Sequence, residues 1–176
     1  MATADLRERL QPALLDRLTD ERPELSQDPD ERRGMTKSQL RAAVLRDLGW
    51  LLNAVQPLLS REAEAHPLAA ASVINYGMPP LSGQLASKID MPSLTQQLRE
   101  AILRFEPRIL EHSLEVTAVE DQFVLDAHNV IEFEIRGLLW AQPIPLELLL
   151  RTQLDLEAGQ VRVRDLAPTT LDAGRR

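Results

Sequence analysis

The stretch Leu98-Arg99-Glu100-Ala101-Ile102-Leu103-Arg104-Phe105-Glu106-Pro107-Arg108-Ile109-Leu110-Glu111-His112-Ser113-Leu114-Glu115-Val116-Thr117 changes its hydrophobic period at its midpoint. Up to Phe105 the apolar residues Leu94, Leu98, Ile102 and Phe105 recur at helical spacing. Pro107 lacks an N–H and pushes Glu106 out of the helical region, so the helix ends there. Beyond it Leu110, His112, Leu114 and Val116 alternate with Glu111, Ser113, Glu115 and Thr117. That is the period of a half-buried strand. Ile131, Phe133 and Ile135 repeat the alternation against Glu132, Glu134 and Arg136. Leu150, Thr152, Leu154 and Leu156 form a third run, and Glu157-Ala158-Gly159-Gln160 turns it into a fourth, Val161-Arg162-Val163-Arg164. Short connections and one-sided alternation predict an antiparallel sheet with one wet face.

Towards the N-terminus the period is helical. Thr36-Lys37-Ser38-Gln39 fits a capping box, and Leu40, Val44, Leu48, Leu51 and Val55 follow as one apolar stripe bounded by Pro57. His66-Pro67 opens a short helix through Ala69-Ala70-Ala71 to Ile74, with Gly77 as its stop. Asn75-Tyr76-Gly77-Met78-Pro79-Pro80 reads as a rigid turn. Asp90 or Ser93 caps the third helix. Helices first and strands after give an α+β fold, with helices packed on one face of a small four-stranded, mostly antiparallel sheet. Residues 1–35 read as an N-terminal segment and polar linker, 36–166 as the α+β domain, and 167–176 as a flexible tail. Within the first of these, Leu14, Leu15 and Leu18 make a short amphipathic stretch that residues 19–33 separate from the core.

Composition narrows the function. A chain of 176 residues, 44% hydrophobic and 27% charged, has the profile of one globular domain. It holds no apolar run near the roughly 18 residues of a membrane helix, and the mixed charges of Asp5, Arg7 and Glu8 do not resemble a secretory signal. Twenty basic against 27 acidic residues, net −7, with 3% aromatics, argue against nucleic-acid binding. Absence of cysteine removes disulfides, thiolate metal sites and cysteine nucleophiles. His66, His112 and His128 have no metal-ligand spacing, and neither a Gly-rich phosphate loop nor a nucleophile elbow is present. Glu106 and Asp121 are the carboxylates a glycosidase reading would draft, yet nothing in their spacing demands that role. No cofactor, metal or catalytic residue is therefore expected.

The most informative spot is Phe105-Glu106-Pro107-Arg108-Ile109. In an extended segment Glu106 and Arg108 would project to one side about 7 Å apart, partly exposed and preorganised for a partner. The same residues also read as a plain helix stop with a local ion pair.

Four blocks in order carry a resemblance. They are Leu14-Leu15-Asp16-Arg17-Leu18, Val44-Leu45-Arg46-Asp47-Leu48 with Trp50-Leu51-Leu52-Asn53, Ile74-Asn75-Tyr76-Gly77-Met78-Pro79, and Phe105-Glu106-Pro107-Arg108-Ile109. Together they resemble TssE, the baseplate subunit of type VI secretion systems, related to a wedge protein of contractile phage tails. Pro80 departs from the acidic residue expected there. The resemblance implies a non-enzymatic cytoplasmic part at a membrane-docked baseplate, joining the wedge subunits TssF and TssG to contractile sheath proteins. It implies contacts through Glu106, Pro107 and Arg108, and a small α+β domain with a strand edge suited to an added strand. Leu14, Leu15 and Leu18 are expected to dock on a partner. The alternatives are a baseplate subunit of a phage tail or phage-like injection device, and a peptidoglycan hydrolase, as the "lysozyme" in the family's usual label suggests.

Overall fold

Thr36 starts the longest helix through two reciprocal bonds. Its hydroxyl accepts from the Gln39 N–H at 3.2 Å, and Gln39 Oε1 accepts from the Thr36 N–H at 2.8 Å. These satisfy donors that a helix start leaves open. The computed structural model describes residues 10, 12–19, 24, 34–58, 60–81, 89–119 and 130–166. Its helices are α1 (Leu14–Leu18), α2 (Lys37–Asn53), α3 (Ser60–Ala65), α4 (Pro67–Ala70) and α5 (Met91–Phe105). Its strands are β1 (Glu115–Ala118), β2 (Val130–Leu139), β3 (Leu146–Asp155) and β4 (Gln160–Asp165). They form one antiparallel sheet in the order β1-β2-β3-β4.

The alternation does what its period requires. Ile131, Phe133 and Ile135 of β2 and Leu148, Leu150, Thr152 and Leu154 of β3 are buried on one face. Leu40, Val44, Leu48 and Leu51 of α2 and Leu94, Leu98 and Ile102 of α5 pack over that face in one core. Burying each such side chain contributes about 1.5–3 kcal/mol. The expected α+β layering is what the chain adopts.

Several local expectations change. Residues 111–113 form a 3-10 turn, so the first strand begins at Glu115 and His112 is exposed rather than on a strand. The third strand starts four residues earlier than the alternation from Leu150 suggests. Helix α4 ends at Ala70, and a 3-10 turn over Val73–Asn75 follows. Gly77 does not stop that helix. It has φ 126°, and a Cβ there would lie 2.5 Å from the Ala54 carbonyl oxygen, so only glycine lets this turn reach the end of α2. Val55, the last residue of the expected stripe, is past the helix end and exposed.

Two features tie the ends of the domain together. Leu10 is buried, and its carbonyl accepts from the Met35 N–H at 2.7 Å, so a residue ahead of the polar linker enters the core. From α2, the Asn53 side chain bonds both the carbonyl and the N–H of Val161 on β4. Arg41 holds Asp165 at the other end of that strand. Helix α2 therefore lies along the outer edge of β4.

Candidate functional site

The site begins with a β-turn. The Ile109 N–H donates to the Glu106 carbonyl at 3.1 Å, with Pro107 at the second position, where its fixed φ is favoured. The turn curls Arg108 back, so the extended geometry expected from the sequence is not adopted. Arg108 Nε donates to Glu106 Oε1 at 2.6 Å, and its Nη2 donates to Glu106 Oε2. The Arg108 N–H adds a third bond to Oε1 at 3.2 Å. Glu106 is only 2% exposed, a correction to the expectation that it faces solvent. A buried carboxylate is tolerable only when its acceptor sites are filled, and this fork fills them.

The turn is fixed on the sheet side as well. The Leu110 N–H donates to the Leu138 carbonyl and the Trp140 N–H to the Arg108 carbonyl, at 2.8 and 2.7 Å. Residues 108–110 thus run beside the end of β2. Gly137 makes room there, since a Cβ would sit 3.3 Å from Ile109 Cγ2.

On the helix side Arg108 Nη2 also donates to Asp47 Oδ2 of α2 at 2.5 Å. Arg46 Nε donates to Asp47 Oδ1 at 2.8 Å, and Arg46 Nη1 reaches Asp16 Oδ1 of α1 at 2.6 Å. A chain of five charges, Asp16–Arg46–Asp47–Arg108–Glu106, therefore links α1, α2 and the turn. Burial by itself would lower the pKa of Arg108. The hydrogen bonds and charges of Glu106 and Asp47 outweigh it and hold the guanidinium above its ordinary value. Arg46 is likewise raised, first through its bond to Asp16. Arg108 Nη1 is buried and has no acceptor among the described residues.

Beside this chain lies a cleft of about 510 Å³, lined by Leu15, Leu40, Asp47, Trp50, Tyr76 and the residues Phe105 to Arg108 among others. Tyr76 closes one wall, edge-on to Phe105 with centroids 5.1 Å apart. Burial, then the charges of Asp47 and Glu106, raise the Tyr76 phenol above its usual pKa. Arg46 stacks over Trp50 at 5.1 Å. Trp50 is 52% exposed and Trp140 54%, and these are the two tryptophans of the chain.

The site residues named from the sequence thus assemble unevenly. Glu106 and Arg108 pair with each other, and Pro107 is exposed at the cleft. Leu14 and Leu18 are 72% and 74% exposed, and Leu15, also exposed, joins the cleft wall. His66 and His112 are exposed and lie on separate elements, while Asp121 and His128 lie outside the described residues. Sequence reasoning missed Asp47, Arg46, Asp16 and Trp50 as site residues. Asp47 carries a readable signal. It falls three residues after Val44 and four before Leu51, on the buried stripe, where a carboxylate needs a partner.

No helix among the described residues is long and apolar enough to cross a membrane. No curated protein and no solved structure matches the chain. The family model described as baseplate wedge protein gp25 matches residues 38–144, in agreement with the resemblance to TssE, the type VI relative of that phage protein. The matched span holds α2, the Gly77 turn, the Glu106–Arg108 turn and β2, more than half of the 176 residues, and the chain belongs to the baseplate wedge protein gp25 family.

Proposed function

We propose that this protein is the type VI secretion baseplate subunit that joins the wedge subunits TssF and TssG to the contractile sheath, working in the cytoplasm at a membrane-docked baseplate. The observation that carries the reading is the cleft at the Glu106–Arg108 turn. Its charges are already paired, its rim carries exposed Trp50, Pro107 and Leu15, and Arg108 Nη1 is a buried donor without an acceptor among the described residues. Interface anchors are enriched in tryptophan and arginine held in a preorganised pocket. The exposed Leu14 and Leu18 extend the same surface along α1.

The protein acts as a structural part and not as an enzyme. Glu106, the one buried carboxylate among the described residues, has both oxygens bound by Arg108. A glycosidase acid must instead sit protonated in an apolar pocket, ready to donate. A role in a phage tail or phage-like injection device is the second reading, supported by the same family match. Co-expression with TssF and TssG tests the proposal. Co-purification of the three is expected, and a chain that elutes alone while those two remain together contradicts it.

A further inference from the structure

The sheet face turned away from the helices carries an uneven charge pattern. The β3–β4 register sets Arg151 directly opposite Arg164 and Gln153 opposite Arg162. Paired residues of an antiparallel ladder project to the same face with their Cβ atoms about 4.5–5.5 Å apart, so three arginine side chains rise from one corner of the sheet. Arg162 and Arg164 are exposed, and neither makes an ion pair among the described residues. Glu134, opposite Arg151 on β2, is occupied by Arg136 at 2.5 Å. Glu132 stands 3.9 Å from Arg151, and Asp165 is turned to Arg41.

Like charges placed directly opposite destabilise a sheet. The arrangement occurs in a chain of net charge −7, where carboxylates are plentiful. Charge on an edge strand guards against edge-to-edge aggregation, but either sign does that. A glutamate at position 164 would guard the edge equally and pair with Arg151. Among the described residues, then, nothing on the sheet accounts for the choice of arginine at 162 and 164. The stripe also lies beyond residue 144, where the family match ends.

We propose that Arg151, Arg162 and Arg164 form a docking stripe for an acidic segment of a partner protein. Arg162 and Arg164 stand about 7 Å apart along the strand, the spacing of carboxylates two residues apart in an extended chain. A nucleic acid fits less well, because the chain is acidic overall and 3% aromatic, with no base-stacking platform. The stripe and the cleft are on opposite faces of the sheet. The inference therefore adds a second contact to the assembly reading and does not depend on the first.

The test uses the purified full chain and a fluorescent peptide alternating glutamate and serine, with a labelled oligothymidylate as the competing probe. The glutamate peptide binds the wild-type chain at low salt, and binding fades as salt rises. Arg162→Glu with Arg164→Glu weakens it about tenfold, and Arg164→Gln gives an intermediate loss. Arg164→Glu alone melts no lower than wild type, because the new carboxylate faces Arg151. Equal peptide binding by wild type and double variant overturns the proposal. So does tighter binding of oligothymidylate, or a lower melting temperature for Arg164→Glu. These outcomes are independent of whether the chain co-purifies with TssF and TssG.

Discussion

Asn53 holds Val161 by both of its backbone polar groups: Nδ2 donates to the Val161 carbonyl at 2.9 Å, and Oδ1 accepts from the Val161 N–H at 2.9 Å. One side chain thereby stands where a neighbouring strand would pair. The β4 edge is blunted by α2, as exposed edges must be if they are not to recruit other chains. A strand arriving from a partner therefore meets the Asn53 side chain at the β4 edge beside Val161.

Asn53→Ala removes that pairing. The bonds are solvent-exposed, so the loss in stability is about 1 kcal/mol. The larger consequence is association. Light scattering is expected to show concentration-dependent self-association for the variant, and a variant that remains as dispersed as wild type would assign the clamp to stability alone.

Glu106→Ala leaves Arg108 and Asp47 without the carboxylate that completes their network. Breaking a buried ion pair from one side costs about 3–5 kcal/mol. Arg108 retains 21% side-chain exposure, which places the expected loss at the low end, near ~3 kcal/mol. Urea unfolding measures it. A loss below about 1 kcal/mol would mean that water replaces the network easily.

Tyr76 is the single tyrosine, so its ionisation can be followed by phenolate absorbance without interference. Desolvation and the charges of Asp47 and Glu106 raise its folded pKa above 10.0. A proton is thus held more tightly in the folded state. The associated stability is fully present below about pH 10 and disappears as pH rises through the folded value. The midpoint should lie above that of the unfolded chain and move down in Asp47→Asn. Identical midpoints in the folded and denatured protein would contradict the geometry.

The segment ahead of α2 splits into two behaviours. Leu10 is buried, so Leu10→Ala costs about 2–3 kcal/mol. Leu14 and Leu18 are largely exposed, so serine at either position changes stability by less than about 0.5 kcal/mol. Thermal unfolding of the three variants checks this. Equal losses at all three positions would place the whole segment in the core.

The sheet was legible because its period is two and one face is buried: Ile131, Phe133, Ile135, Leu150 and Leu154 all point inward. Leu110 and His112 misled for a local reason. A single 3-10 turn between Leu110 and the buried Leu114 imitates alternation over five residues, and the bonds from the Ser113 N–H to the Leu110 carbonyl and from the Leu114 N–H to the Glu111 carbonyl reveal it. At the site the helix stop at Pro107 was legible, since proline dictates it, but the β-turn that curls Arg108 back was not. Nor was the partner of Arg108. Asp47 lies 61 residues away, and only the packing of α2 against the turn brings it to 2.5 Å. Asp16 meets Arg46 across 30 residues for the same reason. Pattern reveals that a buried charge needs a partner, whereas tertiary packing selects which one.

The central claim is that the cleft beside Glu106–Arg108 receives a wedge partner, and Trp50→Asp tests it most directly. Trp50 is half exposed and makes none of the ion pairs, so the variant should melt within a few degrees of wild type. Titration calorimetry of purified chain into the TssF–TssG complex should then show binding by wild type and at least about a tenfold loss for the variant. Equal affinities of the folded variant and wild type would contradict the assignment of this cleft.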